Sequence, residues 1–126
     1  MTITVFGLGF VGLTTSLGFA EYGHTVYGVE VNPERLSTIK SGRLPFLEPG
    51  LDEALHRHLG HRFLPISSEG LSKAVASSDC IYYCVGTPYG QDGQADLTFL
   101  LKAVDQTLEA MSGDTSFKVL VVKSTI

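Results

Sequence analysis

Gly7, Gly9 and Gly12 stand at G-x-G-x-x-G spacing in Gly7-Leu8-Gly9-Phe10-Val11-Gly12. Residues without side chains cannot attack a bond or carry a proton. They can bare the backbone, and bare amides at the start of a helix are a grip for phosphate oxygens. Each glycine has its own part in that grip. Gly7 permits the tight turn, Gly9 lets the main chain approach the anion, and Gly12 lets the helix pack against a sheet. Glu30 follows at close to the spacing of about 20 residues at which an acid meets the hydroxyls of an adenosine ribose. Together the corner and the acid point to a dinucleotide. From these residues alone a flavin fits as well as a nicotinamide cofactor, and an ordinary glycine-rich turn of another α/β domain stays open.

The elements around the corner are those such a site needs. Ile3-Thr4-Val5-Phe6 reads as a short buried strand, and the proline-free stretch 14–22 as a helix stopped by Gly23-His24. Thr25-Val26-Tyr27-Gly28-Val29 reads as a second strand that delivers Glu30. Asn32 and Pro33 have the chemistry of an N-cap and a first helical residue, opening a helix with Leu36 and Ile39 inward and a stop near Gly42. Arg35 lies in its first turn, near the expected ribose; a solvated surface charge is the plainer reading.

Pro45 and Pro49 keep 43–51 extended. A helix over 52–59 puts Leu51, Leu55 and Leu59 on one stripe. A weak third strand, 62–66, carries Pro65 and is therefore irregular or at an edge. A short helix spans 71–76. The nearly unbroken apolar run 79–85 suits a central parallel strand covered on both faces. Such a strand ends at Val85-Gly86-Thr87, which in an open α/β sheet faces the same crevice as Gly9 and Phe10, although a mere strand-ending turn would look alike. Asp96 caps a helix over 97–111 with Leu100, Val104 and Leu108 inward, and a fifth strand covers 118–122. The fold class is α/β, a Rossmann-type doubly wound, mainly parallel sheet flanked by helices.

Composition narrows the classes further. With 126 residues the chain is one domain by size, and a net charge of −4 without a basic run excludes a nucleic-acid partner. No stretch is apolar for long enough to span a bilayer, and Thr2-Ile3-Thr4 is unlike a basic leader. Cys80 and Cys84 share one strand-like segment, where a disulfide between them is geometrically unfavourable; they read as small buried apolar residues in a reducing cytoplasm. His56 and His58 do not share a helical face and no matching carboxylate spacing appears, so with His61 they read as a solvated polar face and no metal site is expected. Lys123-Ser124-Thr125-Ile126 places a polar pair at the carboxyl edge of the sheet, where an enzyme would be expected to continue into another domain.

In combination, these motifs resemble the N-terminal domain of the UDP-glucose/GDP-mannose dehydrogenase family over essentially the whole chain. The resemblance rests on Gly7-Leu8-Gly9-Phe10-Val11-Gly12-Leu13, Glu48-Pro49-Gly50-Leu51, Val85-Gly86-Thr87-Pro88, Asp92-Gly93-Gln94-Ala95-Asp96-Leu97 and Lys123-Ser124-Thr125. It implies NAD as the cofactor and oxidation of the C6 alcohol of a nucleotide sugar to a carboxylate with two NAD. The thioester-forming cysteine would lie downstream of Ile126, so residues 1–126 are expected to be an NAD-binding fragment that turns over nothing by itself. It implies cofactor contacts from Gly7, Gly9, Phe10, Val11, Gly12, Glu30, Arg35, Val85, Gly86, Thr87 and Thr125. Thr125 is also the implied catalytic residue, positioning the water that hydrolyses the thioester. The family usually has Asp at the position of Glu30 and often Tyr at that of Phe10. Either acid disfavours the 2′-phosphate of NADP, while Arg35 could accommodate it. A nucleotide-sugar substrate, a homo-oligomer when full length and a cytoplasmic location are the remaining implications. A non-catalytic NAD-sensing module is the alternative from a different class.

Overall fold

The computed structural model describes residues 1–124. Strands and helices alternate: β1 (Thr2–Phe6), α1 (Phe10–Glu21), β2 (Thr25–Val29), α2 (Pro33–Lys40), α3 (Leu51–His58), β3 (Phe63–Ile66), α4 (Leu71–Ser77), β4 (Cys80–Tyr83), α5 (Thr98–Ala110) and β5 (Val119–Val122). A 3-10 turn at Ser68–Gly70 leads into α4. The strands form one parallel sheet in the order β3-β2-β1-β4-β5. The chain thus starts in the middle, winds outward to β3, and returns to the other side of β1. The order reverses between β1 and β4, and this reversal opens a crevice beyond the carboxyl ends of those strands. Phe6 pairs in register with both Val29 and Tyr83, so β1, β2 and β4 end level with one another at its rim.

The period of two along β1 sorts the core into two layers. Ile3 and Val5 face α1 and α3, joining Leu13, Leu17, Ile39, Leu55 and Phe63. Phe6 faces the opposite layer with Val29, Val75, Ile81, Tyr83 and Leu100. There the Phe6 and Tyr83 rings stack with centroids 5.3 Å apart. Polar side chains that enter the core bring partners, as burial without one is costly. Thr4 Oγ1 and Ser78 Oγ are 2.7 Å apart, and Ser78 Oγ also reaches the Ala74 carbonyl oxygen at 2.7 Å.

The local chemistry explains the element ends. Asn32 Oδ1 accepts from the N–H groups of Glu34 and Arg35, each at 3.0 Å, and Pro33 opens α2 where its missing N–H costs nothing. Val26 and Glu30 donate to the carbonyls of Arg62 and Ile66. The alternate residue Pro65 therefore turns its nitrogen away from the ladder, on an edge strand, as its ring requires. Asp96 Oδ1 accepts from the Thr98 N–H at 2.9 Å, while Leu97 occupies the cap position of α5 itself, so the helix starts one residue later than expected.

Two expectations are corrected. β4 is covered unequally on its two faces: Ile81 and Tyr83 are buried, whereas Cys80 and Tyr82, packed on the α1 side, stay half-buried. The inward stripe of α5 is Leu100, Ala103 and Thr107, with Val104 partly buried against the same core as expected, and Leu108 faces solvent. Hydrophobicity misled there, since at 100° per residue Thr107 lies closer to the direction of Leu100 than Leu108 does. Its hydroxyl is satisfied inside: Tyr83 Oη donates to Thr107 Oγ1 at 2.8 Å, and Thr107 Oγ1 donates to the Ala103 carbonyl at 2.9 Å. Thr107→Val strands the fully buried phenol without an acceptor and should cost about 1–3 kcal/mol in urea unfolding. Tyr83→Phe leaves Thr107 its bond to Ala103 and should cost only about 0.5–1.5 kcal/mol. The double variant should be no less stable than Thr107→Val alone. Among the described residues, no helix is long and apolar enough to cross a membrane.

Candidate functional site

β1 ends at Phe6 and α1 begins at Phe10, so Gly7-Leu8-Gly9 is the whole strand-to-helix turn. Leu8 is fully buried and pins the turn to the α1-side core. Gly7 has φ +91°, and its N–H donates to the Val29 carbonyl at 2.9 Å, tying the turn to β2. The three glycines differ in what a methyl would meet. At Gly7 a Cβ would sit 2.8 Å from the Cys84 carbonyl oxygen, and at Gly12 it would sit 1.6 Å from the Gly7 carbonyl oxygen. Those two glycines are demanded by the protein's own packing. At Gly9 a Cβ meets nothing within 4 Å, and φ is −75°, open to any residue. The bare position at Gly9 keeps empty a space that a ligand can enter. Gly9 caps α1 with no side-chain bond, and the N–H groups of the first turn have no acceptor within the helix.

Glu30 lies at the end of β2 and is only 4% exposed. Its Oε1 accepts from the Leu8 N–H at 2.9 Å and its Oε2 from the Asn32 N–H at 3.0 Å. Arg35 Nη1 approaches Oε1 at 3.5 Å. The buried charge is thereby paired with main-chain donors and one guanidinium. Oε2, with one donor, retains a further lone-pair direction. The carboxylate braces the glycine turn and borders the crevice together.

The crevice has a volume of about 850 Å³. Gly7, Gly9, Phe10, Val11, Glu30, Arg35, Val85, Gly86 and Thr87 all line it, so the structure brings together residues from three separate strand ends. Gly12 does not line it; it is buried in α1 against the turn. Thr125 lies outside the described residues. The opposite bank was not foreseen: Phe99, Lys102 and Gln106 of α5 face the opening. Their spacing of three and four is helical, and it becomes readable once Leu100, Ala103 and Thr107 are known to point inward. Lys123 and Ser124 also line the crevice at the end of β5. Ser124 Oγ donates to the Val85 carbonyl at 2.8 Å, and Lys123 Nζ donates to Thr15 Oγ1 at 3.2 Å. Arg35, Lys102 and Lys123 against one Glu30 leave the walls cationic, which suits a dianionic diphosphate.

The remaining candidates have structural employment. Cys80 and Cys84 are free thiols and half-buried, less enclosed than expected. Burial pushes both thiols up, so neither is a ready thiolate nucleophile even though Cys84 borders the crevice. The histidines are not merely solvated. His56 Nε2 donates to the Gly42 carbonyl at 2.9 Å, and His58 Nε2 lies 3.0 Å from Glu21 Oε1, which Arg57 also contacts. The hydrogen bond from Arg57, followed by that from His58, holds the Glu21 carboxyl below its ordinary range. Among the described residues, no three His, Cys, Asp or Glu side chains are placed to hold a metal ion.

Comparison with known proteins gives this arrangement its context. Residues 1–126 match the family described as UDP-glucose/GDP-mannose dehydrogenase family, NAD binding domain. The UDP-glucose 6-dehydrogenase of Rhizobium meliloti is 37% identical over 127 residues, covering 100% of this chain and 28% of that protein. A ternary complex of the GDP-mannose dehydrogenase of Pseudomonas aeruginosa superposes with a TM-score of 0.91 at 32% identity, covering 100% of this chain and 29% of that one. The UDP-N-acetyl-mannosamine dehydrogenase of Staphylococcus aureus superposes with a TM-score of 0.87 at 29% identity, with the same coverages. The chain therefore spans less than a third of the length of each of these relatives.

Proposed function

The chain belongs to the UDP-glucose/GDP-mannose dehydrogenase family as an NAD-binding domain, and we propose that it serves a nucleotide-sugar 6-dehydrogenase acting on UDP-glucose. The observation that carries the cofactor assignment is Gly9, a glycine that neither packing nor backbone angle requires, at the floor of an open crevice. In this reading the amides of the first turn of α1 hold the diphosphate. Glu30, with Arg35 beside it, accepts from the hydroxyls of the adenosine ribose. Val85, Gly86 and Thr87 form the facing wall, and Phe10 and Val11 border the corner. Thr125 positions the hydrolytic water. The chemistry the cofactor supplies when bound is hydride acceptance; this chain's residues bind, orient and shield. The domain is the cofactor-holding part of a longer, homo-oligomeric cytoplasmic enzyme whose nucleophile lies on another segment. The likeness to GDP-mannose and UDP-N-acetyl-mannosamine dehydrogenases supports those sugars as the second reading of substrate. Turnover of a nucleotide-sugar panel by the full-length enzyme decides between them.

Glu30 also supports NAD over NADP. A carboxylate already holding two main-chain donors cannot turn away from a 2′-phosphate without releasing the glycine turn. Calorimetric titration should find NAD bound at least about ten-fold, or ~1.4 kcal/mol, more tightly than NADP. Glu30→Gln keeps the size of the side chain but offers its amide nitrogen to one of the two N–H groups. It should weaken NAD and narrow the gap between the cofactors. Equal affinity for both cofactors, unchanged in the variant, would overturn the ribose assignment.

A further inference from the structure

The loop between α2 and α3, expected to be extended, bends at Pro45-Phe46 beside the start of α1 and turns at Pro49-Gly50, with side chains alternating outward and inward. Arg43, Pro45 and Leu47 are exposed, while Leu44 and Phe46 are partly buried and pack against the α1-side core. The loop is held at its start by the bond from His56 to the Gly42 carbonyl. Its far end runs into α3, where the Leu51 N–H donates to the Glu48 carbonyl at 3.2 Å. Phe46 is thus fixed from the protein interior. Its ring meets that of Phe10, with centroids 5.3 Å apart and planes at 59°. Phe10 is the first residue of α1, immediately after Gly9, and is 54% exposed at the crevice.

A large apolar ring at that place is a hazard as much as a wall. The side chain of the first helical residue has few allowed rotamers, and a half-exposed phenyl with no partner samples them all. Apart from its two chain neighbours, nothing lies within 4 Å of where a Cβ on Gly9 would stand, and Phe10 is the next residue, so a released ring has that space within reach. A tilted aromatic pair of this separation is favourable beyond its buried area and selects one orientation. We infer that Phe46 is a positioning residue that parks the Phe10 ring against the α2–α3 loop and so keeps the diphosphate corner open. This inference rests on the reading of that corner as a diphosphate site.

The test uses ligands that do and do not reach the corner, ADP and adenosine, each titrated against the folded chain. Phe46→Ala should weaken ADP and NAD about ten-fold, while adenosine, which lacks phosphate, keeps its affinity. Phe46→Tyr keeps the ring pair and should bind ADP like the parent. Phe46→Leu preserves the apolar anchor of the loop if the alanine variant does not fold, and should lose ADP affinity in the same direction. Phe10→Ala/Phe46→Ala removes the ring that obstructs, and should recover the ADP affinity of Phe10→Ala alone. ADP binding unchanged in Phe46→Ala and Phe46→Leu, equal losses for ADP and adenosine, or no recovery in the double variant would each overturn the inference while leaving the parent reading intact. Failure of the unsubstituted chain to bind either ADP or NAD would overturn the parent reading and this one with it.

Discussion

Gly9→Ala is expected to fold like the parent and to bind NAD at least about a hundred-fold more weakly, a loss of ~2.7 kcal/mol. The two halves of that result have separate causes. Alanine is a poorer cap than glycine by roughly a kcal/mol or less, and φ of −75° suits it. Beyond its two chain neighbours a methyl there meets nothing within 4 Å, so no packed partner has to move. It would instead stand where a diphosphate must come within hydrogen-bonding distance of the α1 amides. Thermal unfolding and calorimetric titration on the same sample separate the two effects. NAD affinity within two-fold of the parent would mean that the diphosphate is not held at this corner.

Gly12→Ala is the mirror case, and its expected cost is to the fold. The new methyl would sit 1.6 Å from the Gly7 carbonyl oxygen and 3.3 Å from Cys84 Cβ. The first obstacle is backbone in a turn that is itself bonded to β2 and braced by Glu30, so no side chain can swing away to relieve it. α1 would have to lift from the sheet and withdraw Leu13 and Leu17, both essentially buried. A loss of more than about 4 kcal/mol is expected, beyond what one overpacked methylene usually costs. Urea unfolding measures it. A stable Gly12→Ala variant would show that α1 does not seat on the turn as described. Gly9 and Gly12 thus part binding from folding within one six-residue motif.

The first half of the sheet, from β1 to β3, was legible in the sequence because its signals are local. Glycine spacing, the proline-free helix, the Asn32-Pro33 start and the edge-seeking Pro65 all act through covalent geometry or near neighbours. What escaped depended on partners far along the chain. Thr107 is tolerated inside because its hydroxyl is used twice, by the Ala103 carbonyl and by Tyr83, 24 positions earlier. Misplacing that stripe concealed the bank formed by Phe99, Lys102 and Gln106. Glu30 could be placed by spacing, but its bracing of Leu8 could not, because a carboxylate's choice of main-chain donor is settled by tertiary packing. The half-covered face of β4 was likewise invisible, since an apolar run reports that a strand can be buried and not how completely its neighbours bury it.

The outer rim of the sheet bears on the chain's colloidal behaviour. Val119, Leu120 and Val122 of β5 are exposed, and among the described residues no strand pairs with its far side. A short uncharged stretch of mainly β-branched residues with one unpaired row of amides can template the backbone of another molecule, the step that begins cross-β aggregation. Lysines at 118 and 123 bracket the stretch as gatekeepers. Lys118, however, is turned inward onto the carbonyls of Ala76 and Ser78, so much of its charge is withdrawn from the rim it would guard. In residues 1–124 taken by themselves, β5 is thus an edge on which another backbone could pair.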